Sequence, residues 1–326
     1  MIRLSRRQVL AGSAAAATTP LLGNLIEEPI LRFGIISDVH QDVMHDGEER
    51  LAQFIEAMNS QDVDFIMQLG DFCIPKAANK PFMDIWNQFK GDKFHVLGNH
   101  DTDGGYSQEQ TQEFWEMPEQ YYSFDRGGLH FVVLDGNDAH AGHAGGYKRH
   151  VGAEQREWLR ADLRSTDLPC IVICHQSLEE ESGGLDNTRA MQVLLEAVNY
   201  EAGWKKVFLS MSGHHHIDFQ TRINGIDYLQ VNSAAYQWLG GDWQRTRYPE
   251  EIEKQHTALK YTSPYVGPLW TVGEVYKSGV LKFQGMETQW LAPSMWDIGY
   301  PEKPSASVTK DSCVPLIRDR QFRFRP

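Results

Sequence analysis

From residue 30 onward the chain alternates short apolar runs with stretches whose apolar residues recur every three or four positions. Apolar runs bounded by turn formers predict buried strands, and the longer spacing predicts amphipathic helices. Residues 31–37 (LRFGIIS) therefore read as a strand. Residues 48–59 read as a helix with Leu51, Phe54, Ile55 and Met58 on one face, and 64–69 as the next strand. A helix over 81–89 and a strand over 93–97 follow. Strands separated by helices imply parallel neighbours joined by right-handed crossovers. The pattern then changes. Residues 121–125 and 129–134 flank Arg126-Gly127-Gly128, which signals a hairpin. Helices are predicted over 153–164 and 187–199, the latter with Asn187 as its N-cap, and strands over 170–174 and 207–211. Two further hairpins are expected around Asn224-Gly225 (217–223 with 226–231) and Ser278-Gly279 (272–276 with 280–283). Beyond 285, proline and polar residues dominate, and 286–326 reads as a tail without regular structure. The expected fold class is α/β, two mixed β-sheets packed as a sandwich flanked by α-helices in four layers, forming one domain over 29–285.

Residues 1–28 stand apart. Ser5-Arg6-Arg7-Gln8-Val9 precedes an Ala-rich, mildly apolar stretch over 11–25. This resembles a twin-arginine export signal. The resemblance implies the twin-arginine export machinery as a partner and a periplasmic or extracellular location, with a membrane tether if the signal is not cleaved. The alternative is a short N-terminal helix with two chance arginines. Gly12, Thr18, Thr19, Pro20 and Asn24 make the stretch poor as a permanent membrane span. No Cys follows it, which argues against lipid attachment there.

Composition narrows the function classes. The formal charge is −13, and it falls to −16 if Arg3, Arg6 and Arg7 are removed with the signal. A nucleic-acid polymer is not expected as a partner of so acidic a chain. A small phosphorylated substrate is still compatible, because bound cations reverse the local field. Cys170 and Cys174 lie in the apolar run PCIVIC, Cys73 and Cys313 are far apart, and no C-x-x-C occurs, so a cysteine zinc site is not expected.

The predicted strands end in chemistry. Ser37-Asp38-Val39-His40 follows the first, Gly70-Asp71 the second and Gly98-Asn99-His100-Asp101 the third. His175 follows 170–174, and Gly213-His214-His215-His216 follows 207–211. Each fragment alone is weak, since Gly-Asp is an ordinary turn and a lone His after a strand usually caps it. Five metal-capable fragments at the carboxyl ends of five strands carry the signal, because sites in open α/β sheets form at those ends. Carboxylate, imidazole and amide oxygen without thiolate suit Mn, Fe or Zn in a catalytic rather than a structural site. One Asp can bridge two cations about 3.5–4 Å apart.

In this order, Asp38-x-His40, Gly70-Asp71, Gly98-Asn99-His100-Asp101, His175 and Gly213-His214-x-His216 resemble the calcineurin-like metallophosphoesterases over residues 31–235. The resemblance implies two divalent metal ions. Asp38, His40, Asp71 and His216 would hold one, and Asp71, Asn99, His175 and His214 the other, with Asp71 bridging. His100 would be the histidine beside the phosphate, oriented by Asp101. Alternation along an extended chain puts His214 and His216 on one side and turns His215 away. His215 would then be a supporting or solvent-facing imidazole, while Gly213 lets the backbone approach closely. The expected reaction is attack of a metal-bridged hydroxide on phosphorus, with His100 protonating the leaving oxygen. No tyrosine follows Asp71 closely, so the colour of the purple acid phosphatase branch is not expected.

Other residues divide between roles. The segment 136–150, GNDAHAGHAGGYKRH, is a substrate-gripping loop or a solvated one. Asp135 and Asn137 read as turn formers, and His95 and His130 as structural. Trp238, Trp243, Tyr248, Tyr261, Tyr265 and Trp270 line a substrate pocket or fill core. Lys148, Arg149, Arg245 and Arg247 are candidates for a phosphate or carboxylate contact. The function expected is an exported phosphoesterase acting on a phosphodiester or pyrophosphate bond of a small nucleotide or lipid head group. The alternatives are a phosphomonoesterase and a non-catalytic exported binding protein that keeps the metals.

Overall fold

The computed structural model describes residues 27–324 except 144, 180 and 181. The export segment 1–28 therefore lies outside the described residues except for its last two. In chain order the first part runs β1 (Leu31–Ile36), α1 (Gly47–Ser60), β2 (Phe65–Gln68), α2 (Lys80–Trp86), β3 (Asp92–His95) and α3 (Gln108–Trp115). The second runs β4 (Tyr122–Arg126), β5 (Leu129–Leu134), α4 (Ala153–Ser165), β6 (Cys170–Cys174), α5 (Thr188–Ala202), β7 (Val207–Ser212), β8 (Phe219–Ile223) and β9 (Ile226–Gln230). The last runs β10 (Tyr236–Trp238), α6 (Glu250–Gln255), β11 (Thr262–Pro264), β12 (Thr271–Tyr276), β13 (Val280–Phe283), β14 (Met286–Glu287), β15 (Leu316–Ile317) and β16 (Arg320–Arg323).

Two six-stranded sheets result, ordered β16-β13-β12-β1-β2-β3 and β4-β5-β6-β7-β9-β8. β1, β2 and β3 pair in parallel, as do β5, β6, β7 and β9, while β12, β13, β16, β4 and β8 are antiparallel to their neighbours. Both sheets are mixed, as expected. Parallel strands covered on both faces read as near-continuous apolar runs, and β5, β6 and β7 are buried throughout. Their period-2 alternation sorts the side chains. Phe131, Val133, Ile171 and Ile173 point into the core between the sheets, whereas Val132, Leu134, Cys170, Val172 and Cys174 meet α4 and α5. Phe33 and Phe65 stack at 5.0 Å and meet Phe131 of the opposite sheet edge-on at 5.6 and 5.5 Å. All four cysteines are buried and free. Among the described residues no helix is long and apolar enough to cross a membrane.

Three local expectations are corrected. The segment 286–326 is not without regular structure: β16 adds an edge strand to the first sheet, Leu281 opposite Phe322, and β14 pairs with β15. A four-residue strand carrying three charged or polar residues gives almost no local signal, and its partner lies some 40 residues earlier. Helix α3 was not expected, yet Ser107 and Gln110 form a complete capping box at its start. Asn187 does precede α5, but its amide pairs with the backbone of Val151 instead of capping the helix.

Candidate metal centre

The loops leaving β1, β2, β3, β6 and β7 converge at one end of the sandwich, where parallel strands in register deliver their carboxyl ends together. Asp38, His40, Asp71, Asn99, His175 and His216 are buried, and His214 is half-buried. The donor atoms of Asp38, His40 and His216 lie within 4.8 Å of one another, and so do those of Asp71, His175 and His214. The two clusters meet at one oxygen. Asp71 Oδ2 is 3.1 Å from His175 Nε2 and 3.6 Å from His40 Nε2. Its other oxygen accepts the backbone N–H of His100 at 2.8 Å.

Two of the imidazoles are oriented through Nδ1. His175 Nδ1 donates to the Leu69 carbonyl at 2.7 Å and His216 Nδ1 to that of Tyr236 at 2.7 Å. That leaves each Nε2 facing inward, the usual support of a metal-bound histidine. His40 Nε2 and His216 Nε2 stand 3.1 Å apart. The Asn99 side-chain amide is orphaned: its buried Oδ1 and Nδ2 have no hydrogen-bond partner. An orphaned buried amide oxygen beside inward-facing imidazole and carboxylate atoms is costly unless a cation satisfies it. The donor set fits a metal pair.

Electrostatics agree with crowding of opposite charges. Burial would raise the Asp38 carboxyl, but the His216 and His175 imidazoles outweigh it and hold it at about 2. Burial pushes His40 down to about 3. It acts the same way on His175, yet the Asp71 and Asp38 carboxylates overcome it and raise that imidazole to about 10.

The backbone bends to make this possible. Asp38, His40, Asp71, His214 and His216 all have φ between 50° and 70°. Non-glycine residues in the left-handed region are uncommon and collect at functional sites. This corrects the extended-chain picture of the histidine run. His214 and His216 reach different clusters because each is left-handed, not because they alternate along a strand. His215 does not face solvent: its Nε2 is 3.1 Å from Ser177 Oγ, and its ring packs against Gly183. A Cβ at Gly213 would meet Ser37 Oγ at 2.1 Å, and one at Gly70 would meet the His175 ring at 2.3 Å. Both glycines are set by close approach.

His100 sits at the open edge of the cluster, its ring 5.3 Å from that of His40. Its orientation corrects the expected partner. Asp101 does not touch the ring; it accepts backbone N–H groups of Gly98 (2.7 Å), Phe72 (2.7 Å) and Asp71 (2.9 Å) and so ties the β2 and β3 loops together. Asp103 Oδ2 holds His100 Nδ1 at 2.7 Å, and the Tyr147 hydroxyl lies 3.0 Å from the same nitrogen and donates to Asp103 at 2.9 Å. Burial lowers the His100 pKa, but the Asp103 hydrogen bond and the nearby carboxylates win and raise it. Asp103 and Tyr147 were not expected as site residues. The only sequence signals were a second Asp three positions after His100 and a place in the 136–150 loop.

The remaining candidates sort clearly. Asp135 accepts from Asn137, Gln108 and Gln120, and Gln176 donates to Asn137 Oδ1, which makes this pair the anchor of the 136–150 loop. His95 bonds Gln68 and packs between Trp86 and Trp115, while His130 joins Asp125 to Asp162. Arg247 and Arg149 bond carbonyl groups of the fold, and Arg245 is held through its backbone. Lys148 borders a cleft of about 370 Å³ with Asn99, Tyr106 and Tyr147. Tyr265 and Trp270 fill the core, and Tyr248 packs on His45. Trp238 is 45% exposed and one ring away from the cluster, through Tyr236. A larger hollow of about 700 Å³ around Tyr200 and Trp204 contains none of these residues, so size does not mark the chemistry here.

A buried carboxylate shared by two histidine clusters at the strand ends of an α/β sandwich is the layout of a metallohydrolase. Residues 31–218 match the calcineurin-like phosphoesterase family, and the chain belongs to it. It is therefore a metal-dependent phosphoester hydrolase, of a family that works with paired metals. The fold is similar to that of a dimetal phosphatase from Danio rerio, at 13% identity and a TM-score of 0.60, covering 91% of this chain and 100% of that one. It is also similar to GAP50, the anchor in the inner membrane complex of Plasmodium, at 17% identity and a TM-score of 0.54, covering 91% of this chain and 89% of that one. At such identities the likeness concerns the fold alone. No curated protein sequence matches the chain.

Proposed function

We propose that this protein is an exported two-metal phosphodiesterase or pyrophosphohydrolase acting on a small nucleotide or lipid head group. The observation that carries the two-metal reading is Asp71 Oδ2, placed within reach of both histidine clusters. Asp38, His40, Asp71 and His216 would hold one ion, and Asp71, Asn99, His175 and His214 the other. Imidazole, carboxylate and amide donors without thiolate fit Mn, Fe or Zn. When bound, such a pair supplies Lewis acidity and makes water nucleophilic at neutral pH.

The chain's own residues do the rest. Asp103 accepts the Nδ1 proton of His100, so His100 Nε2 is free to give its proton to the leaving oxygen. Asp101 keeps the Asp71 backbone in place, and Asp71 Oδ1 is occupied by the His100 amide, so Oδ2 alone is directed between the clusters. The cleft beside Asn99 and Tyr147 leaves room for a second ester group, and Lys148 on its wall supplies a positive charge for a second phosphoryl. Exposed Trp238 offers a face on which a nucleobase stacks. Hydrolysis of bis(p-nitrophenyl) phosphate against p-nitrophenyl phosphate, with manganese supplied, tests the bond type. The diester should show the higher kcat/KM. Preference for the monoester makes the protein a phosphatase, and no turnover with Mn, Fe, Zn or Co makes it a binding protein.

Export rests on Ser5-Arg6-Arg7-Gln8-Val9 and the Ala-rich stretch after it. Replacing Arg6 and Arg7 by lysine should retain the protein in the cytoplasm; unchanged localisation would remove the twin-arginine route.

A further inference from the structure

The 136–150 loop brings a second group of metal-capable side chains together, sharing no residue with the first. The donor atoms of His140, His150 and Asp186 lie within 4.8 Å of one another. His140 Nε2 is 2.7 Å from Asp186 Oδ2, and His150 Nδ1 is 2.7 Å from Asp186 Oδ1. The two rings stack at 4.4 Å with 21° between their planes.

The tautomer of His140 is informative. Its Nδ1 lies 3.1 Å from the Ala141 carbonyl oxygen, which can only accept, so Nδ1 carries the hydrogen. Its other nitrogen, Nε2, is thereby turned toward a carboxylate oxygen of Asp186. That Nε2 is buried and has no directional hydrogen bond despite the short contact. An imidazole nitrogen and a carboxylate oxygen placed this close without a directional hydrogen bond are a donor pair that a cation can join. A backbone carbonyl orienting the far nitrogen is also how protein metal sites fix their histidines.

The three ligands rest on a fixed frame. His150 N donates to the Gly136 carbonyl, Asp138 N to that of His150, and Asp186 N to that of Arg149. One face opens to a hollow of about 430 Å³, leaving space for water as a fourth ligand. His143 is not part of the set, since its Nε2 pairs with the Gly146 carbonyl. Arg156 Nη1 lies 3.5 Å from His150 Nε2, on the side of that ring away from Asp186, and favours the rival arrangement of a plain ion pair.

We propose that His140, His150 and Asp186 form a third cation site, of the two-imidazole, one-carboxylate kind suited to zinc, which clamps the 136–150 loop to the segment before α5. Two imidazoles and a carboxylate with an open position match zinc better than magnesium or calcium, which prefer all-oxygen sets. The clamp has a consequence for the active centre. Tyr147 belongs to the same loop and reaches His100 and Asp103, so the cation would hold that hydroxyl in place.

Zinc bound per full-length chain, measured by elemental analysis after dialysis against buffered free zinc, tests this. Three ions are expected in the wild type and two in His140→Gln and in Asp186→Asn, with circular dichroism unchanged. His143→Gln should keep all three. Two ions in the wild type, or three in His140→Gln, would mean an ion pair only and overturn the proposal. Asp71→Asn separates this site from the paired one: it should lose ions from the main cluster and keep the ion of the loop. A readout that needs no variant is limited proteolysis of wild-type protein preloaded with manganese. Added zinc should protect the 136–150 loop, and unaltered cleavage there would refute the clamp.

Discussion

His100 stands between Asp103 and Tyr147, and those two neighbours decide what its imidazole can do. Because the Asp103 hydrogen bond favours the imidazolium, the raised pKa keeps His100 protonated further into the neutral range. Asp103→Asn removes that support, so the His100 pKa falls and the alkaline limb of the kcat profile should move to lower pH. A profile that keeps its alkaline limb in place would separate Asp103 from the acid role. His100→Ala should retain its metals by elemental analysis yet lose about two orders of magnitude or more in kcat, the scale of one acid catalyst. The reason Asp103 was missed is geometric. Asp101 and Asp103 are both close to His100 in sequence, and only the turn over residues 100–105 shows that the nearer one points to backbone amides.

At the scale of elements, the site depends on loops that are braced from outside the family-matched segment. Asp218, two residues after His216, is buried and receives Arg318 Nη1 at 2.6 Å and Arg320 Nη2 at 2.9 Å from the C-terminal segment. Thus β15, β16 and the turn between them support the loop that presents His214 and His216. Removing one partner of a buried charge pair typically costs about 3–5 kcal/mol. Asp218→Ala should therefore lower the unfolding free energy by about 3 kcal/mol in chemical denaturation. A loss within error of zero would show that these ion pairs do not brace the loop. This bracing was not legible in the sequence, since a four-residue strand with a single apolar side chain carries a local pattern indistinguishable from a polar tail. The central strands were legible for the opposite reason: burial on both faces forces an unbroken apolar run.

For the whole molecule, six candidate ligand side chains from four loops are drawn into two adjoining clusters of like donor atoms that the fold must hold together. Metal should stabilise such a structure, because any species that binds the folded state alone adds RT ln(1 + [L]/Kd). At a free concentration 100 times Kd this is about 2.7 kcal/mol for each ion. Dialysis against a chelator should consequently lower Tm in calorimetry, and re-addition of manganese or zinc should restore it. An identical Tm with and without chelator would contradict metal binding by these residues. The sandwich itself, with Phe33, Phe65 and Phe131 packed between the sheets, should remain folded without the ions.

By itself the sequence determined the alternation of strands and helices, the mixed sandwich and the residue types gathered at the strand ends. These follow from periodicity, which is local, and from donor chemistry, which each side chain carries wherever it lies. Only the tertiary structure decided that Asp103 rather than Asp101 orients His100, that Tyr147 arrives from the far loop, and that the C-terminal segment closes a sheet. It alone also showed five of the candidate ligands in left-handed backbone, and His140, His150 and Asp186 converging on one another. Each of these depends on residues distant in sequence meeting at ångström range, and no pattern within a short window encodes such a meeting.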